Sequence, residues 1–358
     1  MAGEGVGVSE RVAATTISQW AKMVSELTEQ RYILLSLLKS KGRISYGNSG
    51  GELRWVFRYK DHALSGFPDN SPIAFSRKHT LKNATLPWRG YYLEDAITLR
   101  EKLEQGGKEA MIKVFSNREE VMRRAAVRQM ADEWFKDGNL AANAAAETFH
   151  GIESFLAGSD SADAIEIDTY SDSYAGHSTA SGGIAGSTDT RVWTPTVVNS
   201  TYGSNTWVTK ANELVRHMTL QLSFGNASED NIDLILLTKV AYRDLLNLLE
   251  TKERLNIKRG ESVGVAKLGF DKFVELDGVS IGWDAGVPTT DDGSKVVNGY
   301  AFNTDRLKLK VMGKKGGSLF TSRVTFNDNY QADHIFMHCL GNLVFESPRF
   351  FGAFKEIG

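Results

Sequence analysis

The chain has 358 residues, 41% of them hydrophobic and 24% charged, with a formal net charge of −2. That length supports two or three packed units, and the near-neutral balance excludes a globally basic nucleic-acid binder. The single cysteine, Cys339, excludes an internal disulfide and a cysteine-based zinc cluster, and fits folding in a reducing cytoplasm.

Met1 to Gly7 has neither a basic start nor an apolar core, so it does not read as a signal peptide. The apolar stretch Tyr32–Leu38 is far too short to span a bilayer, so no membrane contact is expected and Asn-x-Ser/Thr triplets carry no glycosylation meaning. Ser9 to Lys41 predicts one amphipathic helix or two, with Ile17, Trp20, Val24, Leu27, Leu34 and Leu38 at helical spacing and Gly42 as the stop.

Leu53, Trp55, Phe57 and Tyr59 alternate with Arg54, Val56 and Arg58, the period of a strand with one apolar face. A turn-rich loop through Gly66, Phe67 and Pro68 follows, and an extended stretch returns from Thr80 to Leu93 with Leu86, Trp88 and Tyr92 on one face. The two stretches predict a long hairpin of about forty residues, and a lone hairpin is marginal in water. No neighbouring segment is an obvious cover for it, so another copy of the chain is expected to supply one. The residues proposed for that contact are Leu53, Trp55, Phe57, Tyr59, Phe67, Leu86, Trp88 and Tyr92.

The spacing of Phe115, Met122, Ala126, Met130 and Trp134 predicts a long helix, capped by Asn117 with Glu120 three residues on and stopped at Lys136-Asp137-Gly138. Arg118, Arg123, Arg124 and Arg128 give it a basic side, read first as pairing with acidic residues of the same helix and second as unspecific phosphate contact. The Ser/Thr/Gly/Asp-rich region 158–205 is too long for a simple connection, and Ile165, Ile167, Val192, Trp193, Val197 and Val198 mark short strands within it. Helices are predicted over Lys210–Leu222 and from Thr238 to about Arg254, and a buried strand over Ile232–Leu237. Further strands are expected at Phe273–Val274, Val279–Trp283, Tyr300–Phe302, Leu307–Val311 and Ile335–Phe345. The order points to an α+β fold.

Charge is unevenly spread. Glu52–Leu93 carries seven Lys/Arg and three Asp/Glu, whereas Gly138–Trp207 carries one and eight. Such opposed segments read either as a contact between copies or as unrelated solvated surfaces.

No motif for chemistry holds up. Gly47-Asn48-Ser49-Gly50-Gly51 has the G-x-S-x-G pattern, but that serine must sit on a strand-to-helix turn, and here a strand follows; a glycine hinge is the better reading. His334, His338 and Cys339 lie on a predicted strand where the histidines share a face and the cysteine points away, which favours packing over metal binding. No enzymatic activity, cofactor or metal is expected.

The succession of a short N-terminal arm, a long hairpin, a long helix ending in Lys136-Asp137-Gly138-Asn139, a mixed domain and late strands resembles the tailed-bacteriophage major capsid proteins of the Hong Kong 97-like fold. The hairpin Gly51–Leu93 matches that family's extended loop. Arg118–Asn139 with Gly151-Ile152-Glu153-Ser154-Phe155-Leu156 is similar to its spine helix and the segment after it. Ile232–Arg254 resembles its axial strand and helix, and Lys272–Ile281 with Gly299–Leu307 its late strands. The resemblance implies an N-terminal arm (1–49), an extended loop (50–93), a peripheral domain (94–150 and 307–358) and an axial domain (151–306).

It also implies a homo-oligomer whose pentamers and hexamers close an icosahedral capsid around double-stranded DNA, assembled in the host cytoplasm and ending in the virion. Only about 50 residues precede the hairpin, so a separate scaffolding protein is expected, with a portal and a decoration protein as further partners. Lys60, Lys78 and Lys82 lie in or near the loop, but no asparagine partner is identifiable, so no cross-link between subunits is expected. An encapsulin-type nanocompartment is the alternative container.

Overall fold

The computed structural model describes residues 33–62, 77–98, 132–156, 166–167, 172–201, 206–225, 230–252, 273–292, 294–312, 320–327 and 332–357, with isolated positions between 64 and 130. Helix α1 (Ile33–Ser40) buries Ile33, Leu34, Leu35, Leu37 and Leu38. It stops at Gly42, whose φ of +65° suits a residue without Cβ. There the Gly42 N–H donates to Lys39 O (3.0 Å) and the Arg43 N–H to Leu38 O (2.7 Å), which satisfies the last carbonyls of the helix. The predicted helical residues Ile17, Trp20, Val24 and Leu27 lie outside the described residues.

Chain reversal at Gly42 delivers β1 (Ile44–Asn48), β2 (Glu52–Arg58), β3 (Leu81–Pro87) and β4 (Arg89–Thr98). β2 and β3 form the two-stranded antiparallel hairpin, with Leu53 opposite Leu86 and Phe57 opposite Lys82. The single return strand expected over Thr80–Leu93 is two strands. At Trp88 the chain leaves the hairpin, and β4 then pairs with the long strand β15 (Ala332–Phe345).

β15 anchors a five-stranded sheet in the order β1, β13 (Leu307–Met312), β15, β14 (Thr321–Asn327), with β4 also on β15. On β13, Leu307, Leu309 and Val311 are buried between half-buried Lys308 and Lys310, the alternation expected of a strand with one covered face. β1 runs parallel to β13, so Ile44–Asn48, at the end of the expected arm, is a strand of this sheet. Helical residues at 118, 121–122, 125–126, 129–130 and 132–133 follow the predicted spine, and Met122, Ala126, Met130 and Trp134 are buried at its spacing of four. Met122 packs with Ile97, Ile335 and Met337 against the sheet. Phe115 and the Asn117 cap lie outside the described residues.

The second sheet has seven strands, and all but one lie between residues 166 and 302. Its order is β10 (Val274–Leu276), β11 (Val279–Trp283), β9 (Leu234–Leu237), β12 (Val296–Phe302), β16 (Gly352–Glu356), β8 (Thr196–Asn199) and β5 (Glu166–Ile167). Every residue of β9 is buried, because both faces of the sheet are covered. Leu234 and Leu236 join an aromatic layer with Trp193, Phe155, Phe345 and Phe351, while Ile235 and Leu237 meet α3 (Trp207–Gln221) and α4 (Lys239–Lys252). The same switch of faces divides Tyr300 from Ala301 and Ala353 from Phe354. Trp207 Nε1 donates to Ala241 O (2.9 Å) and ties α3 to α4. Thr238 caps α4 as predicted, its Oγ1 accepting from the Ala241 N–H (3.3 Å).

Residues 307–358 were expected in one unit with the spine. β16 departs from that division: it sits between β12 and β8, inside the second sheet. A small hairpin, β6 (Ser173–Tyr174) and β7 (His177–Ser178), and the short helix α2 (Ala141–Ala145) complete the named elements.

Candidate assembly surfaces

The hairpin β2–β3 has one face inside the chain. Leu53 (3% exposed), Phe57 (7%) and Leu86 (3%) are buried in the aromatic layer, and Trp55, Tyr59 and Trp88 pack against its margin. Phe57 lies 4.1 Å from Trp193 between ring centroids and 5.1 Å from His177. Trp55 Nε1 donates to Glu346 O (3.0 Å) and Trp88 Nε1 to Gly50 O (2.9 Å). The outer edge of β3 is met by the β6–β7 hairpin, where the Thr85 N–H donates to Ala175 O (3.2 Å) and His177 Nε2 contacts Asn83 O (2.8 Å). The expectation that no segment of the chain covers the hairpin is therefore corrected: residues 173–193 are its cover.

The same contact brings the two oppositely charged segments together, through hydrogen bonds between neutral groups. The acidic region and the basic hairpin meet within one chain. Ser187 Oγ donates to Tyr59 O (2.7 Å), the Asp61 N–H to Thr188 Oγ1 (3.0 Å), and Lys82 Nζ stands 4.7 Å from the Tyr59 ring. The signal was present as Tyr174, Val192 and Trp193, large apolar residues in an otherwise polar stretch beside a strand with an unmatched apolar face.

The opposite side of the hairpin is open. Val56 is 57% exposed and Leu81 60%, and Arg54 and Arg58 project beside them. Tyr92 is 62% exposed and stacks on Phe336 across the β4–β15 ladder, with centroids 5.6 Å apart. Of the eight residues predicted for intersubunit contact, three are thus buried in their own chain, four are half-buried or exposed, and Phe67 lies outside the described residues. A cleft of about 850 Å³ opens beneath β2, bounded by Trp55, Tyr59, Arg306, Glu346, Arg349 and Phe350. Arg349 stacks on Phe224 at 4.1 Å and Arg306 on Phe350 at 5.1 Å, so aromatic faces hold both guanidinium groups at its rim.

Arg118 reaches from the helix to β4. It bonds Asp95 Oδ1 (2.8 Å) and Ala96 O (2.7 Å) on β4, fastening the helix to the first sheet. Arg123, Arg124 and Arg128 lie outside the described residues. Ser49 sits exposed between two strands, with Gly47 and Gly50 at φ of +79° and +122°, so the strand-to-helix geometry of a serine nucleophile is absent there. Cys339 is buried, and its burial pushes the thiol up to about 12, which makes it inert. Among the described residues no group of His, Cys, Asp and Glu is arranged to hold a metal ion, and no helix is long and apolar enough to cross a membrane.

The turn after the spine is held by polar groups, of which Asp137 and Ser154 are buried. Gly138 N–H donates to Ser154 Oγ (3.0 Å), Asn139 Nδ2 to Ser154 O (2.7 Å), and the Asp137 N–H to Asp292 Oδ2 (3.0 Å). Burial, with Asp172, Asp292 and Glu153 nearby, raises the Asp137 carboxyl to about 7. This turn fixes the spine helix to the second sheet.

The mixed α+β fold, built on two large sheets, is shared with phage capsid chains over about nine-tenths of its length. Over 92% of this chain and 93% of the other, it superimposes on a chain of the cyanophage A-1(L) capsid asymmetric unit, with a TM-score of 0.59 and 13% identity. The capsid of a native GTA particle, computed with C5 symmetry, gives 0.56 and 9% identity over 90% and 91% of the two chains. A chain of Microbacterium phage Oxtober96 gives 0.51 and 6% identity over 89% and 90%. No protein-family model and no curated protein sequence matches.

Proposed function

We propose that this chain is the major capsid protein of a tailed bacteriophage, a structural and non-enzymatic subunit that assembles with copies of itself into pentamers and hexamers. The observation that carries the reading is coverage: nine-tenths of the chain and nine-tenths of each capsid neighbour share one fold. The five-fold symmetry of the GTA capsid supports pentamers as one of its assemblies. Double-stranded DNA is the proposed content of the shell. A separate scaffolding protein, a portal and a decoration protein are the proposed partners, with assembly in the host cytoplasm. No observation favours the encapsulin-type alternative.

The contact with a neighbouring copy belongs to what the chain leaves open on the hairpin. Trp55, Tyr59 and Trp88, with Tyr92 on the adjoining β4, remain in it, Phe67 stays proposed although it lies outside the described residues, and outward Val56 and Leu81 extend it. Leu53, Phe57 and Leu86 set the angle at which the hairpin projects. Negative-stain microscopy of the purified protein, with and without a co-expressed scaffold, tests the reading. Closed shells or capsomer rings are the expected result, and a monodisperse monomer under every condition overturns it.

A further inference from the structure

Lys355, on β16, has no access to water. Its side chain is 1% exposed, and its Nζ donates to Glu153 Oε2 (2.7 Å), Asp291 Oδ2 (2.7 Å) and Leu156 O (2.9 Å). Both carboxylates are equally shut in, at 1% and 2% exposure. The walls are aromatic and polar: fully buried Tyr300 has its hydroxyl beside Glu153, and Phe135 stacks on the Tyr300 ring at 5.4 Å. The triad holds one ammonium and two carboxylates, with half-buried Lys295 as a further cation within electrostatic reach of Glu153 and a cleft of about 350 Å³ bordering both acids, and burying ions in this way is costly.

We propose that Lys355 Nζ and Asp291 Cγ form an internal isopeptide bond, with Glu153 as the proton carrier. The ammonium and the Asp291 carboxylate together contain every atom required. Glu153 relays one ammonium proton to an Asp291 oxygen, leaving a neutral amine beside a carboxylic acid. The amine lone pair forms the Nζ–Cγ bond. A second proton passes through Glu153 to the departing oxygen, the Cγ–O bond breaks, and one water leaves. Nothing is oxidised or reduced, and Glu153 ends as it began.

Three features favour the step. The fold holds amine and acid in contact, which replaces a chance encounter by a fixed geometry. Burial opposes the Lys355 charge while Glu153 and Asp291 hold it protonated, so the reaction starts from the ion triad. Burial also raises the Glu153 carboxyl, which brings its proton affinity toward that of the amine. The product replaces an ion pair with a neutral amide and ties β16 to the loop before β12.

Intact-mass spectrometry of the full chain, denatured and reduced, tests it. The expected mass is one water below that of the sequence, with a branched proteolytic peptide joining the segment around Asp291 to that around Lys355. The variants E153Q and D291A should recover the full mass. Full mass for the unaltered chain overturns the proposal, whether or not either variant folds. So does a missing water that maps to a succinimide at Asp137-Gly138, Asp277-Gly278 or Asp292-Gly293.

Discussion

At Gly151 a built Cβ would stand 2.6 Å from the carbonyl oxygens of Trp134 and Lys136 and 2.8 Å from that of Glu133. All three are backbone atoms at the end of the spine, so nothing nearby can rotate away. Gly151→Ala should destabilise the chain by about 1–3 kcal/mol, read as a lower urea midpoint with unchanged slope. Titration at the same junction has two opposed contributions. Asp137 is raised from 3.8 to about 7, chiefly by burial, so its stabilisation is complete below about pH 4 and is lost as pH rises to 7. His150 is lowered from 6.5 to about 4 by burial and by Arg89, so its contribution is present above 6.5 and is lost as pH falls toward 4. In melting curves between pH 4 and 7, Asp137→Asn should make stability rise more steeply with pH than in the parent chain, and His150→Gln less steeply. Equal slopes for all three chains would contradict the assignment.

Among the elements, the hairpin best separates what was legible from what was not. The alternation of Leu53, Trp55 and Phe57 with arginines predicted a strand and its buried face correctly, because period two is a local property of the backbone. What covers that face is not local. Trp193 and Tyr174 lie more than a hundred residues further along in a stretch whose composition reads as surface, and only the sheet topology brings them to Phe57. The same limit hid β16, whose Gly352–Glu356 segment lacks alternation because both its faces are buried. Phe57→Ala should cost about 3–5 kcal/mol in chemical unfolding and expose the hairpin to protease. Val56→Ser, one residue away on the open side, should stay within about 0.5 kcal/mol of the parent. Equal costs at the two positions would mean that the hairpin does not dock on its own chain.

For the whole molecule, the order of elements was legible where no single motif was. The late strands fell at Val279–Trp283, Leu307–Met312 and Ala332–Phe345, close to where the sequence placed them. The interface residues were less legible, because one chain gives no sign of which apolar groups its own fold consumes. The assembly reading makes its own prediction: Val56→Asp should leave the melting temperature of the unassembled chain unchanged, Tyr92→Asp should lower it by no more than the loss of its stacking on Phe336, and both should abolish closed particles in negative stain. Intact shells from both variants would remove the open side of the hairpin and the adjoining β4 from the proposed contact.

The place of β16 bears on how the molecule is made. It is the bridge between β12 and β8, so before residues 352–356 emerge in synthesis the seven-stranded sheet exists only as two separate pieces, each with a raw edge. Parallel pairing of β16 with β8 spans some 150 residues of chain, a slow closure by the measure of sequence separation. The nascent chain therefore carries two sticky half-sheets until the last strand arrives, which makes premature association, rather than a weak final state, the hazard of producing this protein at high concentration.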